Sequence, residues 1–318
     1  MRRPEREDAG VWSTELVNPR TADLDGRTTL EVVRALHAED HAAVSAVDAV
    51  LDQVAKAAEL AADVYRRGGR WLFVGAGTSG RIAAAEAAEC PPTFGTPPER
   101  ILAVMAGGGE ALWRPVEGAE DDLAAGQRDL AALGVTAADL VIGLTASART
   151  PYVLGALRHA RAAGARTVLV TAAPGSPLAR EVDIAVEPDT GPEAVLGSTR
   201  LKAGTAQKLV ANMLTTAAMV RLGRVYGNLM VNMQTTNRKL RGRAVRVVAL
   251  AADVDPAAAS AALDAAQGDI KVAITHLVLR IPVDAAARRL EECDGNLRAA
   301  LGARSSPPGA GRRTLGRT

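Results

Sequence analysis

The chain has 318 residues, 48% of them hydrophobic and only 3% aromatic, with a formal charge of +2. That is enough chain for one large domain and a smaller one, with a core built from Ala, Val and Leu rather than from rings. Near-balanced charge gives no drive towards nucleic acid or an acidic membrane, two cysteines make no disulfide framework, and no run of about 18 apolar residues is present to span a bilayer. Met1-Arg-Arg-Pro4 leads into acids rather than an apolar signal segment, so a reducing cytoplasm is the expected location.

Residues 1–27 are polar and read as an arm with little regular structure. Thr28 or Thr29 can cap a helix with Glu31 in its first turn. Val32, Val33, Leu36, Val44, Val47, Val50, Leu51 and Val54 recur at helical spacing towards Arg67, as one long helix or two in tandem broken near Asp40-His41. From Trp71 the pattern alternates. Apolar runs at 71–74, 101–105, 140–144, 167–171 and 184–187 read as strands, and segments at 118–133, 152–163 and 200–222 as helices. Between the first two strands lies an alanine-rich helix that Pro91-Pro92 should stop. Strands separated by single helices require crossovers, so the fold class is α/β, a doubly wound parallel sheet sandwiched by helices. After Arg241 short helices follow at 245–252, 256–266, 270–279 and 283–290, forming a small helical subdomain. Residues 303–318 carry four arginines and almost no apolar content, as a disordered tail does.

Ligands in such sheets bind beyond the C-terminal strand ends. Two hydroxyl-rich turns fall there. Gly75-Ala-Gly-Thr-Ser-Gly80 joins a strand to a helix, so Gly77, Thr78 and Ser79 are placed to cradle an anion with backbone N–H groups and hydroxyls. It lacks the Gly-Lys-Ser/Thr of a Walker loop, and the next strand ends in Met105-Ala-Gly-Gly without the acid of a dinucleotide fingerprint. Thr145-Ala-Ser-Ala-Arg-Thr150 offers Ser147, Arg149 and Thr150, although Thr150 before Pro151 also fits a plain helix cap. Together the turns suit an anion plus sugar hydroxyls, most simply a sugar phosphate. Glu89, next to Cys90-Pro91, is expected at a helix C-terminus, where the dipole disfavours its charge and suits a general acid if it is buried. Asp121 and Asp122 complement a helix N-terminus without further role. Ser198 or Thr199 caps the helix whose first turns carry Arg200, Lys202, Gln207 and Lys208. Cations there oppose the dipole, which marks either function or pairing with acids elsewhere. Histidines 37, 41, 159 and 276 are scattered and the cysteines form no Cys-x-x-Cys, so no metal and no cofactor are expected.

These residues carry a resemblance. Gly75-Ala-Gly-Thr-Ser-Gly-Arg81, Glu89-Cys-Pro-Pro-Thr-Phe-Gly95, Glu117-Gly-Ala-Glu-Asp121, Arg149-Thr-Pro-Tyr-Val153, the run from Gly197 to Lys208 and Asn228-Leu-Met-Val231 resemble the N-acetylmuramic acid 6-phosphate etherase family, within the sugar-isomerase (SIS) superfamily. The resemblance spans about residues 13–302, including Thr14-Glu15, Asn18, Thr21 and Asp23. It implies a carbon–oxygen lyase that removes the D-lactyl ether at C3 by elimination and hydration, with Glu89 as acid and Glu120 as the second carboxylate, the base. It further implies phosphate and sugar contacts from Thr78, Ser79, Ser147 and Thr150, a helical cap and a homodimer. The alternative is a non-catalytic phosphosugar sensor of the glucokinase-regulator type. On this reading 28–240 is the SIS phosphosugar-binding domain and 241–302 the helical subdomain. Departures from the family pattern are Ala148 for Gly, Ala173 for Asn, Val17 for Arg, and Glu86 and Ala88 for Asp and Ser. Ser79 and Glu89 lie about 15 Å apart along one helix, so the site should be completed by another turn or a second subunit.

Overall fold

The computed structural model describes residues 13–233 and 237–302; the expected tail and the first part of the expected arm, residues 1–12, lie outside the described residues. Five parallel strands form the sheet: β1 (Trp71–Gly75), β2 (Ile101–Met105), β3 (Leu140–Leu144), β4 (Arg166–Val170) and β5 (Ile184–Val186), in the order β2-β1-β3-β4-β5. The chain winds outward to β2, then returns past β1 to β3, so the topological switch lies between β1 and β3. Every residue of β1 and β3 is buried, as central strands covered on both faces require. Leu72, Val74, Val104, Val141 and Leu169 pack with Tyr152, Val153, Ala156 and Leu157 of the helix Pro151–Ala162. On the opposite alternation Trp71 donates its indole N–H to the Ala61 carbonyl at 2.9 Å. Burying each such large side chain contributes roughly 1.5–3 kcal/mol.

The helices are α1 (Thr29–Asp48), α2 (Leu51–Arg66), α3 (Gly77–Phe94), α4 (Leu123–Ala132), α5 (Pro151–Ala162) and α6 (Lys202–Arg221). Thr28 caps α1 in a full capping box with Glu31. The expected break near Asp40-His41 does not occur. Both residues sit on the exposed face, where polarity disrupts nothing, and the break falls at Ala49-Val50. The expected stop at Pro91-Pro92 is also corrected: both prolines lie inside α3. A proline near a helix end removes bonds only within the last turns. The helix then ends at Phe94, with Gly95 in the left-handed conformation, φ +62°. Residues 13–27 hold two short 3-10 turns and are pinned by side chains: Thr21 donates to the Ala194 carbonyl at 2.8 Å and Asn18 to that of Pro192 at 3.2 Å.

The N-terminal rim of the sheet is closed by ion pairs. Asp139 accepts from the backbone and guanidinium of Arg70, 2.8 Å at the shortest, and so ties the starts of β1 and β3. Arg166 and Asp183 do the same for β4 and β5 at 3.0 Å. The C-terminal rim carries the turns.

Contacts divide the chain into two compact units. One runs through Ala88 and takes in Glu99–Thr215; the other comprises Glu89–Pro98 and the chain from Thr216 onward. The division follows packing rather than sequence segments and passes within α3 and α6. In the second unit a small hairpin of β6 (Val225–Tyr226) and β7 (Leu229–Met230) precedes α7 (Arg238–Ala252), α8 (Pro256–Ala265), α9 (Ile270–Leu279), α10 (Val283–Glu291) and α11 (Leu297–Leu301). Asn237, Asp255, Asp269 and Asn296 cap four of these helices, around a core that includes Val248, Leu263, Ile274 and Leu297. Among the described residues no helix is long and apolar enough to cross a membrane.

Candidate active site

The β1–α3 turn is built by steric necessity. A Cβ at Gly75 would sit 2.6 Å from the Gly80 nitrogen, and one at Gly80 would sit 2.9 Å from the Gly75 carbonyl oxygen. Only glycines let the strand end lie this close to the helix start. Gly77 is different. Its φ is +53°, and the space beside its Cα is open for 4 Å. Gly77 lines a pocket of about 230 Å³ with Ala76, Arg81, Met105, Ala106, Ala111 and residues 114–120.

The outer wall comes from the loop after β2. Arg81, in the first turns of α3, donates to the carbonyls of Ala111 at 2.8 Å and Leu112 at 3.2 Å, holding that loop against the helix. The loop turns through Gly118, φ +70°, into the short 3-10 turn Ala119–Asp121. The helix expected from Gly118 begins instead at Leu123. Asp122 is non-helical, and its carboxylate accepts the Ala125 N–H at 2.8 Å as the cap of α4. Asp122 thus has the bland role expected of it. Glu120 is left outside any α-helix, exposed, on the pocket wall. The structure therefore brings Gly77 and Glu120 to one cavity. Arg81, Arg114 and Glu117 share its wall. Arg81 closes the Gly75–Arg81 motif, whereas Arg114 carries no motif signal in sequence; only the tertiary placement of its loop reveals it.

The other anticipated residues lie elsewhere. Ser79 is buried and its hydroxyl donates to Gln207 Oε1 at 2.8 Å, joining α3 to α6 rather than pointing into the pocket. Thr78 is half-buried beside Gly204 of α6. In the β3–α5 turn, Thr150 makes no side-chain cap; its hydroxyl pairs with that of Thr145 at 2.9 Å. Ser147 accepts the Arg149 N–H at 3.3 Å. Ala148 between them has φ +54°, a conformation that costs an L-residue roughly 1–2 kcal/mol. Ser147, Arg149, Thr150, Ser198 and Lys208 are not in the lining of the Gly77 pocket. Ser198 is half-buried before α6, and Lys208 is exposed on it. Glu89 belongs to the second unit and is exposed. Because α3 runs on to Phe94, Glu89 is not in its last turn, so the expected dipole effect on it falls away.

The start of α6 resolves the broken dipole rule. Glu193, fully buried, accepts the backbone N–H groups of Lys202 at 2.9 Å and Ala203 at 3.0 Å. Burial pushes its carboxyl up, against the pull of those donors. Lys202 is itself buried, and its ammonium donates to Glu39 at 2.7 Å and to the Pro192 carbonyl at 2.9 Å. Arg20 binds the same carboxylate, 2.8 Å from Nη2 to Oε2, and is the main cause that holds Glu39 down to about 2. Lys202 is thus the cation paired with an acid elsewhere. Glu86, also buried, accepts from Asn212 and Thr215 of α6.

A doubly wound parallel sheet with its pocket at the C-terminal strand ends defines a class, and sequence comparison agrees with it. Residues 120–217 match the model of the SIS domain, and residues 53–161 match that of the glucokinase regulatory protein N-terminal SIS domain. This is an SIS-domain protein. The chain is 50% identical over 292 residues to the N-acetylmuramic acid 6-phosphate etherase of Serratia proteamaculans, covering 92% of this chain and 98% of that one. It is 50% identical over 296 residues to the etherase of Mycolicibacterium smegmatis, covering 93% and 99%. The chain belongs to the N-acetylmuramic acid 6-phosphate etherase family.

Proposed function

We propose that this chain cleaves the D-lactyl ether of N-acetylmuramic acid 6-phosphate, giving N-acetylglucosamine 6-phosphate and D-lactate, as a cytoplasmic carbon–oxygen lyase and homodimer. The observation that carries the reading is one cavity lined by both an open helix N-terminus, at Gly77, and a solvated carboxylate, Glu120, in a family member aligned over nearly its whole length. In the open-chain sugar the C2 proton is acidified by the C1 aldehyde. Glu120 takes that proton, the C2–C3 double bond forms, and the C3–oxygen bond breaks as Glu89 gives a proton to the leaving oxygen. Water then adds at C3. Positioned acid–base groups of this kind contribute typically 10²–10⁴-fold each. The glycine turn and the hydroxyls of Thr78, Ser147 and Thr150, with Ser198 and Lys208, are proposed to hold phosphate and sugar. A phosphosugar sensor would share the fold but has no need of two carboxylates.

The test is D-lactate release from the phosphorylated substrate by wild type, Glu120→Gln and Glu89→Gln. Wild type should release lactate, and each variant should be slowed by roughly 10²-fold or more. No release by wild type removes the enzyme reading. A variant as fast as wild type removes that residue's role.

A further inference from the structure

The pocket wall holds two arginines in opposite situations. Arg81 uses Nε and Nη2 on the carbonyls of Leu112 and Ala111, which fixes the guanidinium against the loop. Arg114 lies on that loop and lines the same cavity. It is exposed, and among the described residues its guanidinium has no partner. Its neighbours on the wall, Glu117 and Glu120, are both acids.

This inference rests on the etherase reading. The substrate has two anionic groups. The phosphate, on C6, lies at the far end of the sugar from the reacting carbons. The lactyl carboxylate sits on the carbon bonded to the ether oxygen at C3, next to the C2 proton that Glu120 removes. Whatever binds that carboxylate must therefore lie close to Glu120. Two acids on the wall would repel a carboxylate brought there alone, and desolvating it without a partner is costly. Of the two cations on the wall, Arg81 is fixed to the loop carbonyls through Nε and Nη2, whereas Arg114 keeps its whole guanidinium uncommitted, in the fork geometry that matches a carboxylate. We infer that Arg114 binds the lactyl carboxylate and sets the preference for an acidic ether substituent.

Two substrates separate this from a general effect: N-acetylmuramic acid 6-phosphate and the same compound with its lactyl carboxylate converted to the carboxamide. Wild type should prefer the acid. Arg114→Gln should lower kcat/KM for the acid roughly 10- to 100-fold, the range for a lost charge-assisted pair. It should leave the carboxamide rate and the affinity for N-acetylglucosamine 6-phosphate within about twofold, since neither ligand has the carboxylate. Arg114→Lys should fall between, keeping charge without the fork. If wild type releases lactate but Arg114→Gln leaves the acid rate unchanged, or slows both substrates equally, the inference is wrong and the etherase reading stands. If wild type releases nothing from either substrate, both fall.

Discussion

The starts of α3 and α6 are both helix N-termini of the same unit, and both drew attention in sequence. At α6 the protein supplies its own anion: the buried Glu193 carboxylate takes the N–H groups of Lys202 and Ala203. At α3 the turn residue is Gly77, with open space beside it and a cavity of about 230 Å³ in front. A helix N-terminus attracts anions by its dipole and unpaired donors wherever it occurs. What separates a structural cap from a ligand site is whether the chain has already filled the place. The basic residues around α6 follow the same logic. Lys202 balances the acids Glu39 and Glu193 in the interior, whereas Arg114 at the α3 pocket faces solvent.

Emptying the filled site should have the largest effect on folding. Glu193→Ala leaves two backbone donors buried and removes an acid near Lys202, so we expect a loss of about 2–4 kcal/mol in urea unfolding. A loss below about 1 kcal/mol would mean the cap contributes little and the contrast is weaker than drawn. A smaller change is expected at the second hydroxyl-rich turn. Ala148→Gly relieves a left-handed alanine, φ +54°, against the added freedom of glycine in the unfolded chain. The variant should be more stable by about 0.5–1 kcal/mol in the same assay. A destabilised variant would show that the Ala148 methyl contributes more by packing than its backbone conformation costs.

The strands were legible because apolar runs bounded by glycine need no tertiary information. The α3 turn was legible because close backbone approach demands glycine at fixed offsets. Long-range partners were not. Nothing near Ser79 indicates that its hydroxyl belongs to Gln207, 128 residues away, or that Lys202 will meet Glu39 at a separation of 163. Glu120 was expected within a helix because its acidic run resembles a first turn; Gly118 and the Asp122 cap move the helix start past it. The prolines in α3 misled because a stop signal tolerated in the final turns looks the same in sequence as one that acts at once. The hairpin Val225–Met230 is too short for any periodicity to show.

The central claim is that the open start of α3 is where the phosphosugar sits. Calorimetric titration of N-acetylglucosamine 6-phosphate into wild type, Gly77→Ala and Glu193→Gln tests it directly. Alanine at Gly77 adds a methyl to the open side of the turn at φ +53°, a conformation the chain already tolerates at Ala148. Gly77→Ala should weaken binding about tenfold or more, and Glu193→Gln should leave it within about twofold. Equal affinity in Gly77→Ala and wild type, with both folded, would contradict the account.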